Sequence, residues 1–145
     1  MPTMQFGDVT HVIQLAIAPV FLLTAIGTII NVLANRLGRA VDRRSVLNAR
    51  VADLDGAARQ TALAELAILE RRFRLIYAAI FLAVLSALLI CLLIALAFVD
   101  ALVSLDLAKV VAILFVLAML SLIGSLAAFL REIFLGVHTV RCPIV

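Results

Sequence analysis

The chain has 145 residues, 66% of them hydrophobic, with a mean hydropathy of +1.27 and a net charge of +3. A soluble domain of this size has too little interior to hide so much apolar side chain, so lipid is the natural solvent for the rest. The isoelectric point near 9.5 invites a nucleic-acid reading, which the placement of the basic residues excludes below.

Residues 1–11 carry no Lys or Arg, and the apolar run that follows is longer than a signal-peptide core, so no cleaved signal is expected. Residues 12–34 are long and apolar enough to cross a bilayer. This first span is also unusual, because it holds Gln14, Pro19, Thr24, Gly27, Thr28, Asn31 and Asn35. Thr24, Thr28, Asn31 and Asn35 recur at steps of four, three and four, which places them within about 60° of one another on a helix. Gln14 and Phe21 border the same face, and Arg39 and Asp42 continue it beyond the apolar run. Such a stripe must meet protein or water, since polar groups facing lipid are costly. It serves either as glue between helices or as the wall of a polar path, with Phe21 as an apolar constriction and Arg39 and Asp42 at the mouth. Pro19 removes one backbone donor and favours a kink.

Residues 36–74 hold nine arginines, no proline and one turn signal, Asp53-Leu54-Asp55-Gly56. Leu63, Leu66, Leu69 and Phe73 follow the turn at helical spacing. Either aspartate can cap the helix that follows Gly56. Nothing breaks the helices where they leave the membrane, so residues 36–74 are expected to form an antiparallel helical hairpin. The mixed charges suit a solvated face.

The second span covers residues 75–99 and the third 107–130. Ala83 and Ala87, and Ser121, Gly124, Ser125 and Ala128, are small residues at spacings that allow close helix contact. Cys91, in mid-span, reads as a buried apolar thiol; Cys142 reads as a free thiol in the tail, 131–145. The only full charge inside a span is Lys109, placed to snorkel one turn after Asp106.

Arginines set the orientation. The segment before the first span has none, and the link after the second has only Asp100 and Asp106. The positive-inside rule then expects the N-terminus outside and both the hairpin and the tail in the cytoplasm. Arg36, Arg43 and Arg44, with Arg71, Arg72 and Arg74, flank the bilayer where anionic headgroups lie. No aromatic residues alternate with them as a base-stacking platform requires, so no nucleic-acid partner is expected.

The chemistry of catalysis is not visible. His11 and His138 are expected on opposite sides of the membrane, no Cys or His pair has metal-ligand spacing, and no phosphate loop appears. No enzyme, cofactor or metal is expected. The C-terminal Cys142-Pro143-Ile144-Val145 only outlines a prenylation box, and its proline and terminal valine fit that signal poorly.

The run Ile17-Ala18-Pro19-Val20-Phe21-Leu22-Leu23-Thr24, then Asn31-Val32-Leu33, Asn35-Arg36-Leu37 and Asp42-Arg43, resembles a family of small bacterial membrane proteins classed as a domain of unknown function. Arg71-Arg72-Phe73-Arg74-Leu75-Ile76-Tyr77 and Ser86-Ala87-Leu88-Leu89-Ile90-Cys91-Leu92 look like its second block. The resemblance implies a bacterial inner-membrane location and brings no activity with it.

The expected fold is all-α: a single membrane domain over 1–145, three spans, and long first and second helices that extend into a cytoplasmic hairpin. The leading functional expectation is a homo-oligomeric pore lined by the first span. The alternative is a membrane scaffold or accessory subunit whose hairpin binds a cytoplasmic protein.

Overall fold

A computed structural model describes residues 6–103 and 106–140, with side chains from 10 to 103 and from 106 to 137. It is built from three helices: α1 (Phe6–Ala52), α2 (Ala57–Val103) and α3 (Ala108–Val140). Each is long and apolar enough to cross a membrane. The chain is a multi-pass membrane protein in architecture. α1 and α2 have 47 residues each and α3 has 33. At 1.5 Å per residue these lengths are about 70 Å and about 50 Å, beyond the ~30 Å of a hydrocarbon core.

The boundaries have local causes. α1 runs through Pro19 and on past the arginines to Ala52, as the absence of a later Pro allows. The chain then turns at Gly56, whose φ of 67° is a left-handed conformation that a Cβ disfavours. Asp53 N–H donates to the Arg50 carbonyl at 3.1 Å and closes the end of α1. Among the described residues, neither Asp53 nor Asp55 accepts a side-chain hydrogen bond from the start of α2, so the expected cap is not made. At the other turn Asp106 takes φ 53°, a region in which Asp is better tolerated than most residues. Asp100 Oδ1 accepts the Leu107 N–H at 3.0 Å, which satisfies a donor at the entry to α3.

Contacts divide the chain into two compact units. Among the described residues, the first comprises 6–30, 82–103 and 106–123. Its core is Ile26 of α1, Ala83 and Ile90 of α2, and Ala118 and Leu122 of α3. Small side chains let backbones approach, and serine hydroxyls exploit the proximity. Ser86 donates to the Ala118 carbonyl and Ser121 to the Leu82 carbonyl, both at 2.8 Å. Apolar surface elsewhere on these helices is exposed, with Leu15, Phe21 and Leu88 among the largest examples. An outside this apolar is what lipid solvates.

Among the described residues, the second unit comprises 31–81 and 124–140. Leu33 of α1 and Ala62, Leu69, Phe73, Ile76 and Ala79 of α2 are buried in it. Ser125 donates to the Ala79 carbonyl at 2.7 Å, again linking α3 to α2 through a main-chain acceptor. The α2 seam differs from expectation at one place. Ala62 is buried while Leu63 is 49% exposed, because 62, 69, 73 and 76 share one side of the helix and 63 lies off it. The hairpin's ion pairs, Arg43–Glu65 at 3.1 Å and Arg44–Glu70 at 3.7 Å, bring α1 beside an antiparallel α2. Their side chains are well exposed, so each contributes about 0–1 kcal/mol.

Cys91 corrects an expectation. It is a free thiol on the exposed side of α2, because it directly follows Ile90, which takes the core position, and is turned about 100° from it.

Candidate functional site

The polar stripe is the first candidate. Gln14, Phe21, Thr24, Thr28, Asn31, Asn35, Arg39 and Asp42 are all exposed. The reason is helical phase. Among the described side chains of α1, the buried positions are Pro19, Ile26 and Leu33, which repeat every seven residues. Thr24, Thr28, Asn31 and Asn35 lie about 140–180° around the helix from Ile26. The stripe therefore points away from the side of α1 that packs within the chain.

Its hydrogen bonding agrees. Thr28 donates back to the Thr24 carbonyl at 3.2 Å and Thr24 to the Val20 carbonyl at 3.4 Å, one turn earlier in each case. The amides of Gln14, Asn31 and Asn35 make no hydrogen bond to any described residue. Phe21 is 71% exposed. The stripe is not glue between the three helices of one chain. Pro19 stays within α1, buried against an apolar cavity of about 520 Å³ that also touches Leu93, Ala97 and Phe115.

The second candidate escaped the sequence reading. Glu132 of α3 is 2% exposed. Its Oε2 accepts from Arg36 Nη1 at 2.7 Å and its Oε1 from Arg72 Nη2 at 2.9 Å. One carboxylate thus ties α1, α2 and α3 together, with each oxygen holding a different guanidinium. Burial of a lone carboxylate is prohibitive, and two charge-assisted hydrogen bonds make it tolerable. Arg36 also lies 5.0 Å from the centroid of the Phe129 ring, which covers its apolar face. A neighbouring cavity of about 190 Å³ is bounded by Arg36, Arg39, Arg43, Arg72 and Glu132, with Leu69 and Ile76 behind.

The six arginines expected at the membrane surface therefore divide. Arg36 and Arg72 hold Glu132, while Arg43 and Arg44 pair with Glu65 and Glu70. Arg71 and Arg74 make no ion pair with a described residue. Gly136 explains how Arg72 fits: a Cβ there would stand 2.9 Å from its Nη2. A sequence signal for Glu132 exists in retrospect. Ala118, Ser121, Ser125 and Glu132 are separated by three, four and seven, a single side of α3. The Cys142 thiol and the C-terminal segment lie outside the described residues, as does the side chain of His138.

Compared with known proteins, residues 16–142 match a family described as "Protein of unknown function (DUF2721)". No curated protein and no solved structure matches the chain.

Proposed function

The chain belongs to the DUF2721 family, and we propose that it forms a homo-oligomeric membrane pore in which α1 of each copy lines a shared polar path. The observation that supports this is the outward direction of Thr24, Thr28, Asn31 and Asn35. Amides facing acyl chains leave hydrogen-bonding groups unfilled, whereas amides facing water or other copies of α1 do not. Three helices of one chain cannot enclose a channel, so the path requires several chains. Phe21 is its apolar constriction, and Arg39 and Asp42 stand at the arginine-bearing end. The positive-inside rule supports a bacterial inner-membrane orientation with the N-terminus outside and the hairpin in the cytoplasm.

Two measurements test the proposal together. The mass of the complex in lipid nanodiscs, lipid subtracted, is expected to correspond to a closed ring of four or more chains. In proteoliposomes, T28L/N31L is expected to abolish ion flux while leaving that mass unchanged. A monomer or dimer, or unchanged flux, rejects the pore.

A scaffold is the second reading, and a separate observation favours it. Val41, Val46, Leu63 and Ile68 of the hairpin are each between 45% and 56% exposed. Apolar side chains outside the spans suit a protein partner. A stoichiometric partner that co-purifies with the full chain and is lost on deletion of residues 46–70 supports this reading.

A further inference from the structure

A groove of about 700 Å³ within the second unit is bounded by Arg71, Arg72 and Arg74 of α2 and Arg131 of α3, over Ile68, Leu75 and Leu135. Arg72 spends one nitrogen on Glu132. Arg71, Arg74 and Arg131 make no ion pair with a described residue, and all three are exposed. The groove thus combines three uncompensated guanidinium groups with an aliphatic wall.

Its depth follows from the sequence. Residues 75–99 of α2 and 110–130 of α3 carry no charge. These lengths rise about 37 Å and about 31 Å, close to the thickness of the hydrocarbon layer. Arg74 and Arg131 are the first charges met at the same end of both apolar lengths, which is the level of lipid phosphates. That level is the same whichever way the chain faces.

We infer that the groove between α2 and α3 is a binding site for a membrane phospholipid with two phosphates, of the diphosphatidylglycerol type. The charge count favours this occupant, since two phosphodiesters offset two of the three uncompensated guanidinium groups and one offsets only one. One phosphodiester neutralises one guanidinium and leaves two or more cations facing one another, whereas two phosphodiesters engage Arg71, Arg74 and Arg131 with the spare donors of Arg72. Leu75, on the span side of Arg74, gives the first carbons of the acyl chains an apolar surface, while Ile68 and Leu135 line the groove on the hairpin side of the arginines. A basic hollow between membrane helices has the chemistry expected of such a headgroup site. The inference does not depend on the pore.

Native mass spectrometry of the full-length protein, delipidated and titrated with lipid, tests it. The unaltered chain is expected to retain one diphosphatidylglycerol per copy, at least about tenfold more tightly than phosphatidylglycerol or phosphatidylcholine. R74A/R131A is expected to weaken this binding at least about tenfold, while R50A/R59A, which removes the same charge from the far part of the hairpin, leaves it unchanged. Equal loss in both variants overturns the site in favour of unspecific attraction. Equal retention of phosphatidylglycerol by the unaltered protein overturns the two-phosphate occupant. Displacement of the lipid by millimolar inorganic phosphate overturns the lipid in favour of a soluble anion. The last two arms need no substitution, so they decide the matter even if a variant does not fold.

Discussion

Arg72 Nη2 and Glu132 Oε1 stand 2.9 Å apart, joining the first third of α2 to the last third of α3 where only 3% of the glutamate side chain is exposed. Because the other oxygen is held by Arg36, each carboxylate oxygen has a guanidinium donor from a different helix. Buried ion pairs of this kind seldom add net stability over an apolar replacement, but removing one member leaves the remainder uncompensated.

Glu132→Gln is therefore expected to destabilise the protein by about 3 kcal/mol, since it keeps the volume and leaves two guanidinium groups facing a neutral amide. Thermal unfolding in detergent, followed by helical circular dichroism, measures the loss. Arg72→Ala alone is expected to cost a similar amount, and the two changes together much less than their sum. Additive losses would mean that the two residues do not interact.

Gly136→Ala places a methyl group 2.9 Å from Arg72 Nη2. The end of an arginine normally swings away cheaply, but this one is held by a buried carboxylate. The expected loss is about 1–3 kcal/mol, the worth of a hydrogen bond to a charged group. The same unfolding experiment checks it, and in an Arg72→Ala background the loss should give way to the gain of about 0.5–1 kcal/mol that helix propensity supplies.

Gly56 and Gly38 make opposite predictions for the same substitution. At φ 67°, Gly56→Ala is expected to cost about 1 kcal/mol. Gly38 lies inside α1 with nothing within 4 Å of an added Cβ. Gly38→Ala is therefore expected to stabilise by about 0.5–1 kcal/mol through helix propensity. Paired melting curves in one detergent decide both signs.

Orientation has a direct test. With Cys91 and Cys142 replaced by alanine, Ser45→Cys places a single thiol on an exposed position of the hairpin. A membrane-impermeant maleimide is expected to label it in inverted vesicles and not in intact cells. The reverse pattern puts the hairpin outside.

Much of this architecture can be read without coordinates, because lipid imposes simple rules. Charge-free lengths mark the spans, and one glycine among aspartates marks the turn at Gly56. The stripe on α1 is also legible, since its period is that of a helix. What sequence reasoning missed depends on neighbours. Glu132 sits next to Arg131 just past an apolar run and looks like a solvated tail residue; only the arrival of Arg36 and Arg72 from other helices makes it a core group. Leu63 draws the eye as the larger side chain, yet close backbone approach favours Ala62 at the seam. The outward direction of the stripe needs the third dimension too, because periodicity defines a face without saying what it meets.

The Glu132 cluster also imposes an order on biogenesis. Translation delivers Arg36 first and Arg72 second, and both must wait for a carboxylate encoded some sixty residues beyond Arg72. Until then the first two helices bring like charges together at the place where the finished protein is most tightly tied. In the nascent hairpin these two arginines lack their shared carboxylate until the last helix supplies it.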